Sequence, residues 1–275
     1  LRDSVFILIS KLFRRKVLCH LHGGYFRTWY RSVSPLLRKY VHWVHSKVDG
    51  QIVLGENLTD LYDDILDRRK IFVVPNGGNY DFKGVSRDPG KIRVLYLSNL
   101  IRTKGVMDVV HSLDYLKTDF SRLEFLFAGA FHEDEVGQEF RAFLDSTSFP
   151  VQYLGVVTGP AKTELLQRTD IFVFPTYYPN EGHPYAIVEA LAAGLPVIST
   201  RHAAIPESVI HGVNGFLVDI KSPEQIAEKI GYLVENPDIR TKMAQESRRL
   251  YEEKFTEEKM IEKLIGVIDA VAGTS

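Results

Sequence analysis

The sequence predicts an α/β fold made of two parallel-sheet units, and three observations predict it. Short apolar, β-branched runs bounded by turn residues recur with helical stretches between them, which is the pattern of βα units. One stretch, PNGGNYDFKGVSRDPG (Pro75 to Gly90), has no periodicity, is rich in Gly, Pro, Asn and Asp, and reads as a linker. Beyond it, FVFPTYYPNEGHPYAIVEALAAGLPVIST (Phe172 to Thr200) runs from strand through glycine loop to helix start, as open α/β sheets do where they present an anion site.

Three strands are expected before the linker, at Lys16 to Leu21, Gly50 to Leu54 and Lys70 to Val74. Six follow it, at Ile92 to Leu97, Leu123 to Ala128, Val151 to Leu154, Asp170 to Pro175, Pro196 to Ser199 and Gly215 to Val218. Helices are expected at Val106 to Leu116, Asp134 to Asp145, Ala161 to Gln167, Pro184 to Ala193 and Glu224 to Leu233, with a charged pair over Pro237 to Phe255 and Thr256 to Val271. Six strands make a complete doubly wound sheet, whereas three are too few for one. The chain also opens on Leu1 rather than Met, so a first domain lacking its upstream part is expected.

Composition bounds the chemistry. The 275 residues are 45% hydrophobic, enough for a real core, and 34 Lys and Arg nearly balance 35 Asp and Glu. A single cysteine, Cys19, allows no internal disulfide and no Cys-based zinc site, which favours a reducing, cytoplasmic setting. No apolar run reaches the ~18 to 20 residues of a membrane span. The charge is partitioned, however: the first fifty residues hold ten Lys and Arg against two acids, +8, leaving −9 for the remainder. Trp29, Tyr30, Tyr40 and Trp43 lie among those basic residues, a mixture suited to an anionic membrane surface; a solvated basic helix would look the same. No recognition motif accompanies the charge, which argues against nucleic acid.

At the helix start near Pro184, the free N–H groups of His183, Tyr185 and Ala186 would face a phosphate, with Gly182 allowing close approach. Glu189 falls inside an Ala, Leu and Val-rich helix, which suits either solvent or a polar ligand such as a vicinal diol. His183 could touch substrate or simply serve the turn, and Tyr177 and Tyr178 could line a sugar site or close the sheet's end. His20 and His22 share a strand face but have no third ligand nearby, so no metal is expected.

Glu181, seven residues, then Glu189, within EGHPYAIVEALAAGLPVIST and followed by IPESVIHGVNGFLV (Ile205 to Val218), resembles the donor-site signature of the retaining, nucleotide-sugar glycosyltransferases of family 4. HLHGG (His20 to Gly24), VVPNG (Val73 to Gly77), LSNLIRTKG (Leu97 to Gly105), FAG (Phe127 to Gly129), YLGVV (Tyr153 to Val157) and DIFVFPTYY (Asp170 to Tyr178) extend the resemblance over essentially the whole chain. It implies two facing Rossmann-like domains, the GT-B type, with the first truncated by roughly a hundred residues and the second complete. The implied division is residues 1–80 as a partial acceptor-side domain, 81–255 as the nucleotide-sugar donor domain, and 256–275 as a helix packing back on the first.

The resemblance also implies roles. Glu181 would bind donor-sugar hydroxyls and Glu189 the ribose hydroxyls, Lys104 would neutralise the diphosphate, and the N–H groups of Tyr185 and Ala186 would hold the phosphates. Val157 would meet the base through its main chain, and His22 would stand at the sugar's edge across the cleft. The chain departs from the family at Ser98-Asn99, where many relatives have Gly-Arg; Asn99 loses a positive charge there, so Arg102 reaches in instead or the site is weaker.

The implied reaction is transfer of a glycosyl unit from a nucleoside diphosphate sugar to an acceptor hydroxyl with retention, in bacterial polysaccharide or lipopolysaccharide synthesis, with no cofactor or metal. A glycan or lipid-linked acceptor and a peripheral position on the inner membrane face are the expected partners. A nucleotide-sugar epimerase or phosphorylase on the same fold, or a non-catalytic nucleotide-sugar binding protein, are the alternatives; a nicotinamide dehydrogenase is disfavoured because no G-x-G-x-x-G follows a strand.

Overall fold

The protein is described here by a computed structural model covering residues 2–82, 90–117 and 120–273. The chain builds two parallel sheets. The first contains β1 (Leu18–His20), β2 (Gly50–Val53) and β3 (Ile71–Val73), hydrogen-bonded in that order. The second contains β4 (Ile92–Leu97), β5 (Leu123–Ala128), β6 (Val151–Tyr153), β7 (Ile171–Phe174), β8 (Val197–Thr200) and β9 (Gly215–Val218), in the order β6-β5-β4-β7-β8-β9. Counted within that sheet this is 3-2-1-4-5-6, the doubly wound order, in which crossovers leave β4 and β7 on opposite faces and open a crevice between their carboxyl ends. All nine expected strands form, three with the expected bounds and the rest with ends that differ by one or two residues.

Burial on both faces explains the composition of the central strands. Every residue of Ile171–Phe174 and Val197–Thr200 is buried, so the first is a continuous apolar run and the second ends in two residues, Ser199 and Thr200, whose hydroxyls donate to the Phe174 and Thr176 carbonyls. The covering helices are α4 (Val106–Ser112), α5 (Asp134–Ser146), α6 (Gly159–Gln167), α7 (Tyr185–Ala192), α8 (Ile205–Ser208), α9 (Pro223–Glu235) and α10 (Pro237–Lys254), numbered after three helices of the first unit. The expected helix from Val106 to Leu116 is shorter, continuing from Leu113 as a 3-10 turn. α8 was not expected; four residues carry too little periodicity to be read.

The first unit's helices are α1 (Arg2–Leu12), α2 (Phe26–Ser32) and α3 (Pro35–His45). The start of α3 follows capping chemistry: Pro35 occupies the first turn and the Ser34 hydroxyl accepts the Leu37 N–H. A separate core joins Ile7, Tyr30, Val41, Val44, Val53, Leu54 and Tyr62. The final helix, α11 (Glu257–Ala272), returns to this first sheet, burying Val267 against Ile52 and Val74. Much of the linker stretch, 83–89, lies outside the described residues.

The carboxyl end of the second sheet is packed backbone to backbone. At Gly129, φ is +144° and an added Cβ would lie 1.8 Å from the Ser98 carbonyl oxygen, so only glycine lets the chain leave β5 beside the end of β4. Gly129→Ala is expected to destabilise the chain by about 3 kcal/mol or more. Gly155→Ala, also at positive φ but with nothing within 4 Å, is expected to cost about 1 kcal/mol. Urea midpoints of the two variants check the contrast.

Candidate functional site

The cleft forms where the loops after β4 and β7 meet. After β4 the chain crosses the end of β7: Tyr177 N–H donates to the Thr103 carbonyl (2.8 Å), and the Tyr96 hydroxyl donates to the carbonyls of Asn99 (3.3 Å) and Lys104 (3.2 Å). Gly105, at φ +80°, completes the crossing, since a Cβ there would stand 2.4 Å from the Pro175 carbonyl oxygen. The Lys104 backbone is therefore fixed, and its side chain lies over the Phe174 and Tyr178 rings with Nζ 3.6 Å from Glu181 Oε2. Glu181 is buried, and its Oε2 also accepts the Thr176 hydroxyl (3.1 Å).

Next in the chain, Pro184 caps α7 without any side-chain hydrogen bond to the helix's first N–H groups. The helix starts at Tyr185 rather than at the expected Pro184, which stays extended at ψ 122°. Tyr185 is exposed and Ala186 half-buried, so their N–H groups stand at an accessible helix start, where the dipole favours an anion. One turn on, Glu189 is buried rather than solvated, as one of the two sequence readings required.

Glu189 has a partner that sequence reasoning missed. Lys162, in the second turn of α6, places Nζ 2.5 Å from Glu189 Oε1. A signal existed: a lysine near a helix N-terminus opposes the macrodipole and so calls for a local anion. The Tyr80 phenol also faces Glu189, and its pKa is raised by burial first and by that carboxylate second. Val157, in the turn before α6, turns its side chain onto the core.

The structure also places His183, Arg102 and Asn99. His183 is buried, its Nδ1 accepting the Asn76 N–H (3.0 Å) and its Nε2 lying 2.6 Å from the Ser208 hydroxyl. Both ring nitrogens are used within the fold, in line with the second of the two readings the sequence allowed, and burial foremost, then Lys263, lowers its pKa to about 4. Arg102, expected either to reach in for the missing charge at Asn99 or to leave a weaker site, pairs with an acid of α5. Its guanidinium donates to Glu139 Oε2 on α5 (2.6 Å), because that helix turns an acid toward the loop. Asn99 itself is exposed, with its carbonyl tied to Ile101 N–H and Tyr96.

Across the cleft, the loop His22-Gly23-Gly24 packs against residues 180–182. A Cβ on Gly24 would meet the Glu181 carbonyl oxygen at 2.3 Å, and one on Gly182 the His22 carbonyl oxygen at 3.0 Å. The structure thus brings His22, Glu181, Gly182 and Lys104 together. The His22 ring lies against His20 at a tilt of 34° (centroids 4.1 Å), and the His20 pKa falls to about 4 through partial burial and then through His22. Among the described residues, no three His, Cys, Asp or Glu side chains group closely enough to hold a metal ion.

Removing the lysine from a largely buried ion pair strands its carboxylate. Lys162→Met is expected to destabilise the chain by about 1–3 kcal/mol, less than for a fully buried pair because the Lys162 side chain is about a third exposed. Lys162→Met combined with Glu189→Gln should recover most of that loss, as read from denaturation midpoints.

Residues 80–250 match the family described as glycosyl transferases group 1. The capsular polysaccharide biosynthesis glycosyltransferase CapM of Staphylococcus aureus is 27% identical over 171 residues, 62% of this chain and 43% of that protein. The N,N'-diacetylbacillosaminyl-diphospho-undecaprenol alpha-1,3-N-acetylgalactosaminyltransferase of Campylobacter jejuni is 30% identical over 151 residues, 55% of this chain and 38% of that protein. Each match spans less than half the relative's length. Among solved structures, HepE from Anabaena in complex with UDP superposes with a TM-score of 0.83 at 18% identity, covering 97% of this chain and 76% of that one. A glycosyltransferase from Rickettsia africae gives 0.84 at 20% identity, covering 98% and 74%. The family match over the second unit and the two-sheet architecture agree: the chain belongs to the group 1 glycosyltransferases, family 4, with the GT-B fold.

Proposed function

We propose that this chain carries the donor site of a retaining glycosyltransferase that moves a sugar from a nucleoside diphosphate sugar to an acceptor hydroxyl. The observation that carries the reading is the start of α7, whose uncapped N–H groups lie between two lysine–carboxylate pairs, Lys104 with Glu181 and Lys162 with Glu189. A nucleoside diphosphate sugar matches that array: diphosphate at the helix N-terminus and Lys104, ribose hydroxyls donating to Glu189, sugar hydroxyls donating to Glu181. Relatives act in this chemistry by name, including CapM in capsule synthesis, and HepE was solved with UDP-glucose.

The mechanism follows from where charge develops. As the anomeric bond breaks, negative charge grows on the departing diphosphate, and Lys104 and the α7 dipole stabilise it there more than in the ground state. Asn99 is uncharged and Arg102 is held by Glu139, so Lys104 bears most of this task. Glu181, freed from Lys104 by the incoming phosphate, gains sugar hydroxyls in exchange. His22, on the loop packed against Gly182, stands at the edge of the sugar. Retention is the stereochemistry of the family.

The acceptor side is proposed to rest on a membrane during bacterial polysaccharide or lipopolysaccharide assembly. α3 exposes Leu36, Tyr40 and Trp43 beside Lys39, and Lys47 lies over the Trp43 ring. The basic surface is smaller than the first fifty residues suggest, because Arg27 and Arg31 pair with Asp60 and Asp64. No helix among the described residues is long and apolar enough to cross a bilayer.

Two measurements test these readings. In calorimetric titrations with nucleoside diphosphates, one nucleotide should bind, and Lys104→Ala and Glu189→Ala should each weaken it by about tenfold or more; unchanged affinity in both variants would overturn the site. In co-sedimentation with vesicles containing phosphatidylserine, Lys39→Glu with Lys47→Glu should reduce binding by about tenfold or more. Equal sedimentation of wild type and variant would refute membrane docking through α3.

A further inference from the structure

We infer that His183 is a positioning residue whose side chain clasps the interdomain linker to the start of α7 and so aims the N–H groups that face the donor diphosphate. The inference rests on the proposed reading of that helix start as the diphosphate site. Two hydrogen bonds join the same two residues, 107 positions apart: Asn76 N–H donates to His183 Nδ1 at 3.0 Å, and Asn76 Nδ2 donates to the His183 carbonyl at 2.7 Å. One bond would leave a pivot; two fix both separation and orientation. Asn76 and His183 are both buried, so water cannot substitute for either bond without opening the packing.

The far side of the ring is fixed as well. Because Nδ1 accepts, the ring proton sits on Nε2, which donates to the Ser208 hydroxyl at 2.6 Å. Ser208 ends α8; its carbonyl accepts Asn214 Nδ2 (2.9 Å), and the neighbouring Glu207 accepts the Asn57 N–H of the first unit (3.0 Å). Gly182, just before His183, accepts the Ala204 N–H at 3.1 Å. The backbone from Gly182 to Tyr185 is therefore held between the linker and α8, both of which touch or lead to the first unit. Moving one domain against the other would pull on the peptide groups that meet the diphosphate, which couples domain orientation to donor binding.

A purely structural histidine would affect all ligands alike, whereas the clasp acts on the diphosphate alone. The test compares affinity for uridine diphosphate by calorimetry and for uridine by NMR titration, in wild type and variants. His183→Leu should weaken the diphosphate by about tenfold while changing uridine less than about twofold. His183→Asn, whose Oδ1 can accept where Nδ1 does, should stay within about threefold of wild type for both. If His183→Leu does not fold, Ser208→Ala, which keeps the ring and removes the hydroxyl that fixes its far side, reads the same ratio. Equal weakening of both ligands, or none, overturns the inference alone. Failure of wild type to bind any of uridine, adenosine or guanosine diphosphate overturns the reading of the site and the inference with it.

Discussion

The N-terminus of α7 organises the cleft. Peptide N–H groups at a helix start cannot be paired within the helix, and Pro184 provides no side-chain cap, so the potential there is positive and open. Around it the chain has placed two buried carboxylates, which alone would be costly, and has offset each with a lysine. In the proposed reading the arrangement is complementary to the donor: an incoming diphosphate would take up the cationic groups, and incoming hydroxyls the acids. Each carboxylate would then exchange one partner for another rather than be stripped of solvent at the moment of binding. Such a site can be built in advance without much strain, and its rigidity comes from backbone contacts too close for any side chain, as at Gly105 against Pro175.

The two sheets are bound together by more than the linker. α11 returns to pack Val267 on Ile52 and Val74, and Gly24 and Gly182 let the loops of the two units meet backbone to side chain or backbone to backbone. The Gly78 N–H donates to the Phe255 carbonyl, and the Tyr251 hydroxyl donates to the Gly78 carbonyl, so the end of α10 is tied to the start of the linker. Segments near residues 76–80, 182–184 and 251–260 thus form one structural joint. In the proposed reading, donor chemistry on one side and acceptor presentation on the other meet at this joint.

Most of the architecture was legible because it obeys local rules. Parallel strands buried on both faces read as short, mostly apolar runs rich in β-branched and aromatic residues, and IFVF and VIST between turn residues fit that pattern. The helices of the first fifty residues were harder: α2 is seven residues long and rich in aromatics, and its charge obscured its faces. The paired acids of the donor signature were visible through the family resemblance, but what neutralises them was not. Lys162 lies 27 positions from Glu189, and Asp60 and Asp64 each lie 33 positions from the arginines they neutralise. His183 shows the limit most plainly, since loop position left both a ligand contact and turn chemistry open, and only its burial between Asn76 and Ser208 ties the ring to the fold. Long-range pairing of this kind is set by tertiary structure, and no periodicity announces it.

The most direct measurement is amide hydrogen exchange with and without saturating uridine diphosphate. A diphosphate seated on α7 should slow exchange at Tyr185 and Ala186 and in the loop around Lys104, with little change in α9 or in α1 to α3. Protection confined to the first unit, or none at Tyr185 and Ala186 despite saturation, would contradict the claim that this helix start is the donor site.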